Sequence, residues 1–125
     1  MKQFISTENA PKAIGPYSQG VTFENLVFTS GQLPINPVTS KLVEADIKIS
    51  TAQVIKNVQA ILHEAGSSLD KVLKATVYLT DLGDFSAMNE VYTEFFGDNP
   101  PARTCYQVVK LPLGAIVEIE VIACK

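Results

Sequence analysis

The sequence predicts an α+β fold in which two helices cover one face of a β-sheet. Two segments carry apolar residues at the three- and four-residue spacing of amphipathic helices, and six others have the composition or the alternation of strands. The predicted order along the chain is β-β-β-α-β-α-β-β. Two helices can cover one face of such a sheet but not both, so the opposite face must be either solvated or covered by another chain.

The first forty residues are predicted to form short strands separated by loops. Residues 2–6 are expected to form an edge strand. Residues 21–23 and 26–30 are predicted to pair as a hairpin across the two-residue turn Glu24-Asn25. A loop is expected over residues 31–40, because prolines occur at two positions in it.

Both helices are predicted from apolar periodicity and from residues typical of helix ends. The first runs from about Ser50 to Ala65, and Gly66 ends it. The second is predicted to be capped by Asp84 and ended by Gly97. Its apolar stripe consists of Phe85, Met88, Val91, Tyr92, Phe95 and Phe96. Both stripes are expected to pack on the sheet.

The last strands indicate what each face of the sheet carries. Strands are predicted over residues 72–80, 103–110 and 116–123. In the last strand the apolar residues that alternate, and are therefore expected to face the helices, are Val117, Ile119, Val121 and Ala123. Glu118 and Glu120 then point to the other face, together with two isoleucines. A free solvent face rarely carries such residues, so we expect another copy of the chain to cover part of it.

The strand that begins at Arg103 has no cleanly apolar face. Tyr106 and Val108 suit packing against the helices better than the residues that alternate with them, which begin with Arg103 and Cys105. We therefore expect Arg103 and Cys105 to lie on the uncovered face with the two glutamates. An arginine beside a carboxylate in a partly dry seam is either an ion pair between subunits or a substrate site. The guanidinium matches a substrate carboxylate bidentately, and a nearby glutamate can hold or activate water.

Other polar residues allow both a structural and a functional interpretation. Asn89 lies on the apolar stripe of the second helix, where its amide either bonds a loop backbone or orders a site. Cys105 is either a small buried hydrophobe or a site residue. His63 falls on the polar side of its helix and is expected to be exposed. Ser30 and Gly31 end a strand, where free backbone N–H groups can meet an anion.

Composition argues against several classes of protein. The chain has 10 basic and 13 acidic residues and a net charge of -3, which argues against a nucleic-acid binder. With two cysteines and one histidine, neither a disulfide framework, a zinc site nor a Ser/His/Asp arrangement is expected. No segment is suited to span a membrane or to act as a signal peptide, so we expect a cytoplasmic protein. The length of 125 residues predicts a single domain over residues 1–125.

Five blocks of sequence together carry a resemblance to a known family. They are Asn9–Pro11, Ile14–Gln19, Thr29–Gln32, Pro101–Cys105 and Val117–Ala123. In this order they are similar to the reactive intermediate deaminase (Rid) family, RidA-type subgroup. The resemblance implies a chorismate-mutase-like fold whose last strand inserts beside the earlier ones. It also implies a homotrimer with three clefts between subunits.

The resemblance further implies an activity and a set of site residues. The activity is the hydrolysis of 2-imino and enamino acids, such as 2-iminobutanoate and 2-aminoacrylate (2-iminopropanoate), to 2-keto acids and ammonia. These unstable species leave pyridoxal-phosphate dehydratases, which would be functional partners. By resemblance Arg103 holds the substrate carboxylate and Glu118 is associated with water. The residues that match other cleft positions are Tyr17, Ser30, Gly31, Asn89 and Cys105. No metal or cofactor is implied.

Alternative functions remain open on the sequence. A non-catalytic protein that binds small carboxylic acids between subunits would use the same Arg103. Some members of the family are associated with a ribonuclease or translation-inhibitor role, which the acidic balance and the lack of a catalytic histidine argue against. A purely structural or chaperone-like trimer is a third alternative. Thr104 and Tyr106 stand where Ser and Val are commoner in the family, which leaves the substrate preference open.

Overall fold

A six-stranded mixed sheet with two helices on one face forms the framework of the protein. The computed structural model describes residues 1–125. Its strands are β1 (Gln3–Ile5), β2 (Gly20–Phe23), β3 (Leu26–Thr29), β4 (Ile35–Asn36), β5 (Lys41–Leu42), β6 (Val72–Leu79), β7 (Ala102–Gln107) and β8 (Val117–Cys124). Its helices are α1 (Ile47–Glu64) and α2 (Phe85–Phe96). The predicted α+β class is confirmed. Neither helix has both the length and the apolar composition that crossing a membrane requires.

The position of β8 organises the sheet. The strand order is β1-β2-β3-β8-β6-β7, and only β6 and β7 run parallel to each other. The last strand therefore lies between β3 and β6, as the resemblance implies, and does not form a hairpin with β7. Its alternate residues are no more than 2% exposed and pack in the core beneath the helices: Val117, Ile119, Val121 and Ala123. The prediction for this strand is confirmed.

Helix α1 begins earlier than predicted because of an N-cap. Asp46 accepts hydrogen bonds from the backbone N–H groups of Lys48, at 2.9 Å, and Ile49, at 3.0 Å. An aspartate in this position satisfies donors that have no partner inside the helix. The first turn therefore starts at Ile47 rather than at Ser50.

The predicted cap of α2 is wrong. Asp84 stands at the N-cap position, but its side chain makes no capping hydrogen bond. Asp81 instead accepts from the backbone N–H of Gly83, at 2.8 Å, in a short 3₁₀ turn (Leu82–Asp84) that leads into the helix. Gly97 ends α2 as predicted, with a positive φ of 67° that favours glycine.

The predicted hairpin is present, and two other boundaries differ from the prediction. Strands β2 and β3 pair across a turn in which Glu24 takes a positive φ of 53°. Residues 31–40 were predicted as a loop but include β4, which pairs with β5. Strands of two residues are too short to show any alternation. Strand β7 ends at Gln107 rather than at residue 110, since its register with β6 ends there.

The face of the sheet opposite the helices, which we call the open face, is not covered by a helix. It carries large apolar side chains that are more than one-third exposed: Phe4, Phe23, Leu26, Phe28, Tyr106 and Ile122. Half-buried Tyr78 and Glu120 lie among them, and the tyrosine hydroxyl donates to the carboxylate at 2.6 Å. Apolar surface of this extent is typical of a contact between proteins.

Candidate active site

Arg103 points toward the helices and not toward the open face. In β7 it is paired with Ala75 of β6, which is fully buried, and paired residues of neighbouring strands point to the same side of a sheet. Its Nη1 donates to Oδ1 of Asn89 on α2, at 2.7 Å. The prediction that Arg103 shares a face with Glu118 and Glu120 is therefore wrong.

The same correction applies to the neighbours of Arg103 in β7. Cys105 is paired with buried Val77 and packs, half-buried, against the core on the helical side. Burial raises the pKa of its thiol, and the charge of Arg103 opposes that shift. Tyr106, predicted to face the helices, is 58% exposed on the open face. The prediction failed because α2 offers the guanidinium an amide and aromatic rings, so a charged residue is accommodated on the helical side.

A pocket of about 480 Å³ opens beside Arg103. We call it the arginine half-site. It lies between α2, the segment that follows α2, and the start of β7, and it is lined by Asn89, Tyr92, Thr93, Phe96, Gly97, Pro100, Pro101 and Arg103. Two predicted site residues, Asn89 and Arg103, thus come together here. Tyr92 and Phe96 were predicted only as parts of an apolar stripe.

A second pocket, of about 320 Å³, brings together four other predicted residues. We call it the glutamate half-site, and it is lined by Ile14, Tyr17, Ser30, Gly31, Leu33, Pro112 and Glu118. Glu118 reaches it from β8, where it is paired with Tyr78 on the open face. Six of the seven predicted site residues therefore divide into two groups, each with its own pocket, and Cys105 lines neither pocket.

The electrostatics of the glutamate half-site favour a carboxyl group that can exchange a proton. Burial raises the pKa of Glu118, and the charge of Glu120, two residues away on the same face, raises it further. Gly31 packs so closely against Glu118 that a methyl group on Gly31 would overlap the carboxylate. The N–H of Gly31 makes no hydrogen bond within the chain and is free to donate to a ligand.

Tyr17 and Ser30 present oxygen atoms in the same half-site. The hydroxyl of Tyr17 accepts from the backbone N–H of Ile14, at 3.2 Å, which holds the ring over its own turn. Ser30 donates its hydroxyl proton to the carbonyl of Ser18, at 2.5 Å. Ser30 therefore meets a ligand as an acceptor, while Tyr17 keeps its proton for donation.

Two buried amides that position the loops of the glutamate half-site were not predicted. The side-chain nitrogen of Gln19 donates to the carbonyls of Thr7, at 3.0 Å, and Pro11, at 2.8 Å, and so holds the loop before Tyr17. Asn57 of α1 donates to the carbonyls of Leu33 and Ile35, at 3.0 and 2.9 Å. The signal for Asn57 is present in the sequence, since this amide lies three residues after Val54 and four before Ile61, on the apolar stripe of the first helix.

Within one chain the two half-sites do not form one pocket. Arg103 lies on the helical side of the sheet at its edge strand, whereas Glu118 lies on the open face in an interior strand. The sheet itself separates them, and no residue lines both pockets. A site that uses both side chains therefore needs a second copy of the chain.

Comparison with known proteins assigns the family. The profile of the Endoribonuclease L-PSP family matches residues 7–125. A RutC family protein of Pyrococcus horikoshii is 54% identical over 125 residues, which cover 100% of this chain and 99% of that protein. Reactive Intermediate Deaminase A, chloroplastic, of Arabidopsis thaliana is 48% identical over 98% of this chain and 65% of that protein.

Solved structures agree with these sequence matches. YyfA from Yersinia pestis, a protein of the Rid family, superposes with a TM-score of 0.97 at 48% identity, and the match covers 100% of both chains. TdcF of Escherichia coli, in a structure with bound serine, superposes with a TM-score of 0.94 at 44% identity over 98% of both chains. The resemblance found in the sequence is confirmed. This chain belongs to the Endoribonuclease L-PSP family, to which the reactive intermediate deaminases (the Rid proteins) also belong.

Proposed function

We propose that this protein hydrolyses reactive 2-imino acids to 2-keto acids and ammonia, in clefts between copies of itself. The observation that carries the proposal is the division of the candidate residues into two half-sites, one centred on Arg103 and one on Glu118. Relatives named reactive intermediate deaminases support the class of reaction. The substrates proposed are 2-iminobutanoate and 2-iminopropanoate, with its enamine tautomer 2-aminoacrylate.

The assembly proposed is a homotrimer whose open faces are buried against one another. The exposed aromatic and aliphatic side chains of that face support an obligate contact, because burying them removes a large apolar area from water. Arg103 belongs to β7, an edge strand, so a neighbouring copy can approach it. In a ring of three copies, the arginine half-site of each meets the glutamate half-site of the next.

In this site Arg103 docks the substrate carboxylate. It is the only arginine of the chain, and one of its N–H groups is already held by Asn89. The remaining N–H groups can form the bidentate contact that a carboxylate prefers. The free N–H of Gly31 supplies a further donor from the facing half-site. These contacts bring the imine carbon to a fixed distance from Glu118.

Glu118 then handles the protons of the attacking water. The oxygen of water forms a bond with the carbon of the protonated imine while Glu118, in its ionised form, takes one proton. Glu118 returns this proton to the nitrogen. As the C–N bond breaks, the second water proton leaves the oxygen and is also transferred to the nitrogen. The products are the 2-keto acid and ammonium, so both water protons end on nitrogen. The raised pKa of Glu118 supports both accepting and returning a proton.

This function links the protein to enzymes that release enamines and imines, above all pyridoxal-phosphate dehydratases, and we propose the cytoplasm as its compartment. Tyr17, Ser30 and Cys105 are proposed as further substrate contacts.

The description of the family as endoribonucleases supports a second candidate, RNA cleavage. The sole histidine, His63, lines a separate surface groove on α1 and lies in neither half-site. RNA cleavage in either half-site would therefore proceed without a histidine.

The test generates 2-iminopropanoate or 2-iminobutanoate in situ with an amino-acid oxidase and follows the loss of the imine. The expected result is accelerated loss with release of ammonia and the 2-keto acid. Pyruvate binding without acceleration would contradict catalysis and favour the carboxylate-binding alternative. Cleavage of single-stranded RNA by the same preparation, without effect on the imine, would favour the ribonuclease.

A further inference from the structure

The guanidinium of Arg103 is enclosed by residues from one face of α2. Its central carbon lies 4.8 Å from the centre of the Tyr92 ring and 5.4 Å from the centre of the Phe85 ring. Phe85 and Tyr92 are seven residues apart, which separates them by about 10.5 Å along the helix axis. The guanidinium therefore lies between the two rings, with Asn89 at the intermediate turn.

The ring of Tyr92 is itself held in place. It stacks on Phe96, with ring centres 4.4 Å apart and an interplanar angle of 30°. Phe85, Asn89, Tyr92 and Phe96 follow one another at spacings of four, three and four residues, so they form one stripe of the helix. Tyr92 is only 5% exposed, and its hydroxyl has no hydrogen-bond partner. No hydrogen bond of the hydroxyl therefore explains why Tyr92 is buried. The contact that Tyr92 makes with Arg103 comes from its ring.

We propose that Phe85 and Tyr92 are positioning residues that hold the Arg103 guanidinium in place before a ligand arrives. This inference rests on the proposed docking of a carboxylate by Arg103. The guanidinium carbon lies over both rings, and Asn89 occupies one N–H group, so the ligand meets the N–H groups that Asn89 leaves free. An arginine ordered in advance loses less conformational entropy on binding, which strengthens binding without any ring touching the ligand.

The preferred variant is Phe85→Leu, because Phe85 is 38% exposed and lies outside the main core cluster. Tyr92 belongs to that cluster, so Tyr92→Leu can also disturb folding, whereas Tyr92→Phe keeps the ring. Phe95→Leu is the matched control, because it makes the same change on the same helix, whereas the rings that lie against Arg103 are those of Phe85 and Tyr92. We expect Phe85→Leu to weaken binding about three- to tenfold. Tyr92→Phe should keep most of the affinity.

The experiment combines two measurements on the full-length protein. Pyruvate affinity is measured by titration, and the order of the Arg103 side chain by the ¹⁵N relaxation of its Nε–H group. Labelling with ¹⁵N-arginine gives a single Nε–H signal, because Arg103 is the only arginine. The proposal predicts that Phe85→Leu lowers both the pyruvate affinity and the side-chain order, and that Phe95→Leu changes neither.

Any other result for Phe85→Leu overturns the proposal. Unchanged order of the Arg103 side chain with weaker pyruvate binding would make Phe85 a ligand contact. Lower order with unchanged binding would show that the order of Arg103 does not contribute to binding. Wild-type protein that fails to bind pyruvate would remove the docking role on which the inference rests. If pyruvate binds and the variants behave as expected while the imine is not hydrolysed, the positioning role stands and the proposed deaminase reaction fails.

Discussion

Arg103 and Glu118 lie on opposite sides of the same β-sheet, although both belong to strands that pair with β6. Ala75, the partner of Arg103, is buried under the helices, and Tyr78, the partner of Glu118, lies on the open face. The two side chains therefore cannot act together in one chain. The proposed reaction depends on assembly for this geometric reason and not only for stability.

Replacing Arg103 by alanine is expected to abolish imine hydrolysis while the proposed trimer persists. Two charge-assisted hydrogen bonds to the substrate carboxylate are lost, each worth about 1.5–3 kcal/mol, so kcat/KM should fall about 10²- to 10⁴-fold. Sedimentation checks the oligomer. Lys41→Ala removes the same charge from an exposed residue of β5 and serves as the control. Near-full turnover in Arg103→Ala would remove the docking role.

Replacing Glu118 by glutamine is expected to lower turnover more than substrate binding. The amide keeps the shape of the side chain but cannot take a proton from water, so kcat should fall about 10²- to 10⁴-fold. Pyruvate affinity should change little. Glu94→Gln, at an exposed position on α2, is the matched control. The reverse pattern, weak binding with unchanged kcat, would assign Glu118 to binding or structure.

Replacing Glu120 by glutamine is expected to move the acid limb of the pH–rate profile to lower pH. Glu118 must be ionised to accept a proton, so the rate falls as the pH drops through its pKa, which burial and the charge of Glu120 both raise above the usual 4.5. When the charge of Glu120 is removed, burial is the only one of these two causes that still raises the pKa of Glu118. The profile of kcat/KM against pH measures the shift, and an unchanged or higher acid limb would contradict it.

The neighbouring Tyr78 does not titrate in the range of this profile in the unmodified protein. The hydrogen bond from its hydroxyl to Glu120 raises the pKa of Tyr78 to about 12, so Tyr78 stays protonated over the range in which the rate is measured. A change on the alkaline limb near neutral pH therefore cannot come from Tyr78.

Replacing Gly31 by alanine is expected to displace the carboxylate of Glu118. The added methyl group overlaps that carboxylate, and a displacement of this kind should lower kcat about 10- to 100-fold. The control is the same change in a Glu118→Ala background, where no carboxylate remains to be moved. An equal loss in both backgrounds would show that Gly31 acts on something other than Glu118.

Much of the fold was predictable because buried positions in long strands and helices recur at regular spacings in the sequence. The alternation in β8 predicted which of its residues face the helices, and the stripe from Phe85 to Phe96 predicted α2. The short strands β4 and β5 show no such spacing. The placement of β8 beside β3 followed only from the family resemblance, since periodicity does not reveal which strands pair.

The candidate site residues were predicted from the strand and helix patterns and from the family resemblance, but their arrangement was not predictable from alternation. Strand β7 lies at the edge of the sheet and most of its residues are half-buried or exposed, so neither face is marked as the core. A rule that puts charges away from helices fails at Arg103 because α2 supplies Asn89, Phe85 and Tyr92 as partners. Contacts of this kind depend on which helix packs above the strand.

The most direct test is complementation between two inactive variants. Arg103→Ala and Glu118→Gln chains are co-expressed with different tags, and trimers that carry both tags are isolated. In a ring of three, every mixed trimer holds one cleft with an intact arginine from one chain and an intact glutamate from the next, so about one-third of the wild-type activity should return. Mixed trimers as inactive as the two parent variants would contradict a shared cleft between chains.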